Sequence, residues 1–232
     1  SGDTETDIGY DSNGDLDTAA IATHCGSANG YVVTWYDQAG SNNATQSTQG
    51  NQPKIYDGTT QAVITENGKP ALDFDGSNDL MNSPTMTVTD GEFMQTAVYV
   101  NDVNKANTAI ATIDTSVRVA QTLQFPDTTK IRLLTFNSSG GIDAIIAAST
   151  TSAGTHTLAT AHVLNGHGEV FVNGVGQLTG SVNVRTDQTN IRIGAFGANY
   201  ADSRIQEVLH WPSEQTNRTD IETNINTYFS IY

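Results

Sequence analysis

Retaining hydrolysis of a glycosidic bond needs two carboxyl groups about 5 Å apart, one as nucleophile and one as acid. The acidic residues are therefore the first to place. Glu66, Glu92, Glu169, Glu207 and Glu214 stand singly along the chain. No E-x-D-x-x-E spacing occurs, the pattern that presents alternate carboxylates of one strand to a common cleft. Glu207 is expected to cap a loop or to pair with Arg204 or Arg218. His24, His156, His162, His167 and His210 form no H-E-x-x-H or comparable ligand set, and no G-x-S-x-G elbow is present. His156 and His162 share strand parity, and a hydrogen-bonded place in a sheet is expected for both. Cys25 is the sole cysteine, so no intrachain disulfide is available. With no basic cluster beside it, its thiol is expected to be buried and inert. These residues argue for binding rather than catalysis.

Sugar recognition sets an aromatic ring against the apolar C–H face of a pyranose and fixes the hydroxyls with Asp, Asn or Gln. Tyr200 with Asn199 and Asp202, Trp211, and the run Tyr36-Asp37-Gln38 combine both kinds of group. Tyr10, Trp35, Asn78 and Asp79 extend the set. Structural roles compete for some of these residues. Trp35 stands mid-strand and suits core packing, while Asp37 and Gln38 open a tight loop and suit the capping of backbone donors.

No motif requires a cofactor, but calcium (Ca2+) is a candidate ligand. Asp11, Asn13, Asp15 and Asp17 alternate around a turn, with oxygens at the 1, 3 and 5 spacing of calcium loops. Leu16 stands where an EF-hand loop needs Gly, and no Glu follows at the twelfth position, which favours a hydrated hairpin. Asp73, Asp75 and Asp79 form a second oxygen cluster. Sequons at Asn43, Asn137 and Asn217 are of the kind an Asn/Thr-rich chain produces by chance.

The elements that must position these groups are short and numerous. Hydrophobic residues make up 37% and charged residues 15%, so neutral polar side chains fill most of the surface. The formal charge of −15, from 10 basic and 25 acidic residues, repels a phosphate backbone and an anionic membrane alike. No nucleic-acid or membrane partner is expected, and no apolar run approaches the roughly 20 residues that span a bilayer. A chain of 232 residues can build one full core, and a single domain over 1–232 is expected, with Ser1-Gly2 looking like the start of an excised piece.

Along the chain, Asn13-Gly14 predicts a hairpin, because both central residues of a type I′ turn take positive φ. Asp17 or Thr18 then caps a short helix through Ala19 to Ala22 that stops near Gly26. The run YVVTWYDQ predicts one strand, with Val33 and Trp35 on one face and Val32, Thr34 and Tyr36 on the other. Asn67-Gly68 predicts a second turn. Strand runs follow from EFMQTAVYVN to RIQEVLHW without intervening helical patterns, which indicates two antiparallel sheets packed as an all-β sandwich. Near the end, Ile221, Ile225, Tyr228 and Phe229 fall at helical spacing between Gln215 and Tyr228, with Thr216 as N-cap, and the helix is expected against an edge or end of the sandwich.

Two resemblances build on these elements. THTLATAHVLNGHGEVFVNGVGQLTG followed by NIRIGAFGANYADSRIQEVLHW resembles the concanavalin A-like lectin/glucanase superfamily in its laminin-G-like branch. The resemblance implies a jelly-roll sandwich in which Asn173-Gly174 turns a hairpin, Ile191 and Ile193 point inward, and Ile205 and Val208 close the sheet. DIGYDSNGDLDTAA, TWYDQAGSNNATQ, NQPKI and KPALDFDGSNDL resemble the amino-terminal half of the fungal-type α-L-arabinofuranosidase B catalytic domain. Non-enzymatic relatives from bacteriophages and marine bacteria share that string and end as Asn217 to Tyr228 does here. The hydrolase family places its nucleophile in a central D-x-E-N segment and its acid in a late G-G-D segment. Here Ala97 to Phe136 holds no Glu, and Gly194-Ala195-Phe196 puts an aromatic ring where the acid belongs. The resemblance implies a non-catalytic carbohydrate-binding, adhesion or decoration module of a phage virion or extracellular surface. Its partners would be polysaccharide, cell-surface glycan or other virion proteins, with a homo-oligomer allowed. The alternative is a glycoside hydrolase of the α-L-arabinofuranosidase type, with Asp202 in the acid's place.

Overall fold

The computed structural model describes residues 4–84, 86–87, 92–113, 120–136, 141–149, 152–183, 188–213 and 215–232. Two nine-stranded sheets, antiparallel in every pairing, dominate it. Along its main path the first runs Gly30–Tyr31, Lys54–Asp57, Leu72–Asp75, Asp202–Trp211, Phe93–Val103, Thr157–Leu164, His167–Val172 and Val175–Ser181. The second runs Ile142–Ser149, Lys130–Phe136, Ala120–Asp127, Ala111–Ile113, Ile191–Ile193, Met81–Asn82, Ala44–Thr45 and Thr34–Trp35. The expected all-β sandwich is the fold.

Between the sheets lies one large apolar cluster. Phe93, Ala97, Tyr99, Ala159, Ala161 and Val163 face in from the first sheet, and Ile113, Leu123, Phe125, Leu133, Ile191 and Ile193 from the second. Tyr99 and Phe125 meet edge to face across the interlayer, with ring centroids 6.0 Å apart. Ile205 belongs to this core and Val208 packs against it, as the sequence pattern implies.

Turn chemistry follows the Asn-Gly pairs closely. Asn67 and Gly68 take φ of 44° and 74°, and Asn173 and Gly174 take 50° and 74°, so both are tight two-residue hairpins. Asn13-Gly14 departs from that form. Of the two only Gly14 has positive φ, and the bonds Asp11 N–Asp15 O and Gly14 N–Asp11 O close a three-residue loop. The Asp11 side chain explains the difference. It accepts the backbone N–H groups of Asn13 and Asp15, which favours an Asx-type turn over the mirror-image one.

Helix α1, Thr18–Cys25, starts as expected, with Asp17 accepting from the Ala20 N–H at 2.9 Å. Helix α2, Arg218–Phe229, corrects two expectations. Its N-cap is Asn217 rather than Thr216, with no side-chain cap bond. It lies across the outer face of the first sheet rather than at an edge or end. There Ile225 and Phe229 bury against Val98 and Leu158, joined by Ile221 and Leu209. Tyr228, counted in the apolar stripe by spacing, is 47% exposed.

YVVTWYDQ is not one strand. Gly30–Tyr31 pairs with Lys54–Asp57 in the first sheet, and Thr34–Trp35 pairs with Ala44–Thr45 in the second. Val32 N–H donates to Pro53 O and Val33 O accepts from Gln46 N–H, so the chain crosses between layers within four residues. Both halves of such a crossing carry the same β-branched and aromatic types as one strand, which is why the pattern does not reveal it.

Gly194 tests how tightly the layers close. Its φ is 81°, and a Cβ placed there would stand 2.3 Å from the Phe74 ring, which is fully buried. Gly194→Ala is expected to cost about 3 kcal/mol, from αL strain together with overpacking of the core. Urea unfolding measures it, and a midpoint unchanged from wild type would contradict the packing described.

Candidate functional site

A cleft of roughly 940 Å³ opens where the first sheet runs short of strands. Leu72–Asp75 pairs with Asp202–Trp211 only from Asp202↔Asp75 to Ile205↔Leu72. Beyond that point Ile205, Gln206 and Glu207 border the opening, beside Pro70, Ala71 and Leu72. The crossing segment 28–38 forms one wall. The N-terminal segment 4–8 and the hairpin around Tyr10 to Leu16 contribute another, and Tyr228 and Phe229 of α2 a third.

Five tyrosines are exposed among the described residues: Tyr10, Tyr31, Tyr36, Tyr228 and Tyr232. The first four all line this cleft. Two of them are fixed by carboxylates from the N-terminal part. The Tyr36 hydroxyl donates to Asp7 at 2.6 Å, and the Tyr228 hydroxyl donates to Asp15. Lys69 Nζ lies 3.3 Å from Asp15 and 3.8 Å from the Tyr228 ring centroid, completing a carboxylate–ammonium–aromatic stack. Asp15 is held below the usual carboxylate range, first by the Tyr228 hydroxyl and then by Lys69. Tyr36 is raised, chiefly by its bond to Asp7. Both hydroxyls are thus engaged by protein, and Lys69 covers one face of the Tyr228 ring.

The sugar candidates read from the sequence divide in space. Tyr36, Asp37 and Gln38 line the cleft. Within it Asp37 is a loop organiser: its carboxylate accepts from the N–H groups of Asn42, Ala39 and Gly40, which hold it below the usual range. Gln38 donates to Tyr36 O at 2.8 Å. Trp35 is half-buried against the core and also borders the cleft. Asn199 and Tyr200 form the second arm of a small hairpin with Ala195–Phe196, and Asp202 follows at the head of the long strand. Trp211 stands at the other end of that strand, about 30 Å away at the rise of an extended chain. Trp211 therefore shares no site with the other three, and none of the four lines the cleft.

The calcium candidates are turned to separate partners. Asp11 closes its own turn, Asn13 Nδ2 reaches Asp11 Oδ2, Asp15 meets Lys69 and Tyr228, and Asp17 caps α1. Asp75 and Asp79 direct oxygens to backbone N–H groups of the 75–78 turn, while Asp73 faces Lys54 at 3.7 Å. Among the described residues no group of three His, Cys, Asp or Glu is placed to hold a metal ion. Asp79 is pushed up to about 6 by burial.

Sequence reasoning missed Glu207 as a cleft residue. Arg204 pairs with Glu66 and Asp102, and Arg218 pairs with Glu222, so neither expected partner reaches it. Among the described residues the Glu207 side chain has no hydrogen-bond or ionic partner, and burial pushes its carboxyl up to about 7. A bulge at Gln206 sets its direction, since Val98 opposes Glu207 while the next residue, Tyr99, opposes Ile205. The signal was in the sequence: Ile205 and Val208 can both face the core only if the two-residue period slips between them. Of the other acids and histidines named from sequence, Glu214 lies outside the described residues, as does Asn137. His156 is hydrogen-bonded to Gln206 and Asn67, and His162 Nδ1 lies 3.6 Å from Glu169. Cys25 is half-buried rather than buried, and burial raises its thiol.

Solved structures share this fold at low identity. The receptor-binding domain of botulinum neurotoxin type G matches with a TM-score of 0.56 and 9% identity over 85% of this chain and 51% of its own. A Trypanosoma rangeli sialidase in complex with 2,3-difluorosialic acid matches at 0.60 and 15%, over 88% and 32%. The binding domain of botulinum neurotoxin DC in complex with SialylT matches at 0.55 and 11%, over 86% and 50%. The chain thus spans about half the length of those toxin domains and a third of the sialidase. No protein-family model matches it, and no curated protein is similar in sequence.

Two titrations follow from the geometry. A carboxyl raised from 4.5 to about 7 keeps its proton in the folded state after the unfolded chain has lost it, so stability falls as pH rises through that window. Glu207→Gln is expected to stabilise the protein by on the order of 2 kcal/mol above pH 7 and to leave it unchanged at pH 4. His210 works in the opposite sense. Its ring nitrogens are sealed from solvent without partners, and burial lowers it from 6.5 to about 4. The stability it contributes is full above pH 6.5 and is lost as pH falls towards 4. His210→Leu is expected to flatten that acid limb. Denaturant midpoints measured from pH 4 to 8 check both.

Proposed function

We propose that this chain is a carbohydrate-binding module, without catalytic turnover, that holds its glycan in the tyrosine-lined cleft. The observation that carries the reading is the gathering of four of the five exposed tyrosines at one concavity. Exposed aromatic rings are unfavourable to leave in water and are placed together where an apolar sugar face is to be met. Trp35 adds a half-buried ring and Gln38 an amide, the polar group needed to fix hydroxyls. Support also comes from fold neighbours whose structures hold sialic acid derivatives or a sialylated ligand. A place on a virion or an extracellular surface fits the acidic, neutral-polar exterior. No described helix is long and apolar enough to cross a membrane.

A second reading, glycoside hydrolysis, is favoured by one observation. Glu207, whose carboxyl is raised by burial to about 7, shares the cleft with Asp15 and Asp37, both held below the usual carboxylate range, and paired catalytic carboxyls differ in this sense. Asp202, the residue that the arabinofuranosidase resemblance implies as the acid, is not in the cleft.

Calorimetry on the best ligand from a glycan array distinguishes the readings. Tyr31→Ala and Tyr36→Ala are each expected to weaken binding about tenfold, with the circular dichroism spectrum unchanged. Equal affinity in both variants would remove the cleft from the reading. Release of 4-nitrophenol from an aryl α-L-arabinofuranoside, lost in Glu207→Gln, would establish the hydrolase instead.

A further inference from the structure

From the charges around the cleft, and resting on the carbohydrate reading above, we infer that its ligand is a neutral or amino-bearing glycan and that acidic sugars are excluded. Five carboxyl residues line the opening: Glu5, Asp7, Asp15, Asp37 and Glu207. They come from the N-terminal segment, the first hairpin, the crossing segment and the long strand, and so stand on several sides of the opening. Against them stand Lys69 and His24.

Neither cation is disposed to receive an anion. Lys69 is held between the Asp15 carboxylate and the face of Tyr228. The ring nitrogen Nε2 of His24 is engaged with Thr4 O at 3.0 Å. No arginine lines the cleft among the described residues, although a planar guanidinium is the side chain best suited to grip a carboxylate. The formal charge of −15 adds a long-range field of the same sign.

Such a site inverts the chemistry of the sialylated ligands in the neighbouring structures. A carboxylate on the sugar would approach several protein carboxylates at once, with low-dielectric walls strengthening the repulsion. Hydroxyls suffer no such penalty, because each can donate to a carboxylate oxygen. An ammonium group at C2 of a hexose would be attracted. The shared fold therefore leaves ligand charge open, and the cleft residues decide it.

The test compares matched sugars by calorimetry on the whole chain: lactose against sialyllactose, and oligomers of galactose, galacturonate and glucosamine. The acidic member of each pair is expected to bind at least tenfold more weakly than its neutral counterpart, and the glucosamine oligomer at least as tightly as the neutral one. Raising the salt from about 20 mM to about 500 mM should narrow the gap, since it shortens the Debye length from roughly 20 Å to roughly 4 Å. The double variant Glu5→Gln/Asp7→Asn should narrow it as well. Both positions are exposed, and the amide introduced by Asp7→Asn would keep an oxygen for the Tyr36 hydroxyl. Acidic sugars bound as tightly as neutral ones would overturn the inference while leaving the carbohydrate reading in place. So would a gap insensitive to both salt and the double variant, which marks steric exclusion. Absence of binding to every sugar tested would overturn the carbohydrate reading itself.

Discussion

The strand Asp202–Trp211 has to meet two demands that a regular two-residue alternation cannot meet together. Its first half pairs with Leu72–Asp75 and sends Ile205 into the core, while its second half sends Val208 inward, three positions later. The bulge at Gln206 reconciles them by adding one residue opposite the junction of Val98 and Tyr99. The extra residue, Gln206, turns its side chain to the neighbouring hairpin. Its amide donates to the carbonyls of Glu66, Lys69 and Pro70, and its oxygen meets His156. The Asn67-Gly68 hairpin is thereby tied to the central strand. Asn67 in turn bonds to Ser230 O, just past the end of α2. One misfit residue thus joins the sheet, the hairpin and the C-terminal helix, and the same slip turns Glu207 away from the core towards the cleft.

The surplus of acid is handled in two ways. On the outer face of the first sheet, Arg204 gathers Glu66 and Asp102, and Lys54 faces Asp73, so scarce cations are placed where acids crowd together. Under α2, Glu222 is 2% exposed and is answered by Arg218, whose guanidinium also stacks on Phe171. Elsewhere carboxylates are stabilised by backbone N–H groups, as Asp37 and Asp57 are in their turns. Each such turn holds an anion without a cation, which lets the chain carry its charge and still fold. The cleft inherits this arrangement, because the basic residues it would need to attract an acid are committed elsewhere.

Local rules made much of the fold legible. Asn-Gly pairs at 67–68 and 173–174 dictate backbone conformation from the residues themselves, and Asp17 announces the start of α1 by its side chain alone. Ile191 and Ile193 face inward because a strand has only two faces. What failed was non-local. The run YVVTWY satisfies one strand and a crossing equally, and only pairing with 44–45 and 54–57 separates them. The cleft draws Tyr10, Tyr31, Tyr36 and Tyr228 from both ends of the chain, so no window of sequence shows them as a group. Asn199 and Tyr200 are adjacent in sequence because they form one arm of a small hairpin, and that hairpin stands apart from the tyrosine-lined cleft.

Binding in such a cleft depends on how much order is already present before a ligand arrives. Tyr36 and Tyr228 sit on elements far apart in the chain, yet each phenol is anchored to an acid in the first fifteen residues. Those anchors fix where each ring stands: the hydroxyl lies on the ring's own axis, so its bond leaves rotation about that axis free but restrains the swing of the whole side chain about its Cα–Cβ bond. Lys69 presses on one side of the Tyr228 ring and withdraws a third rotor from the solvent. Part of the rotor entropy that a free tyrosine would lose on meeting a ligand has therefore been lost in folding, which favours binding without adding a contact. The N-terminal segment serves less as an appendage to the sandwich than as the brace that converts scattered aromatic side chains into a surface.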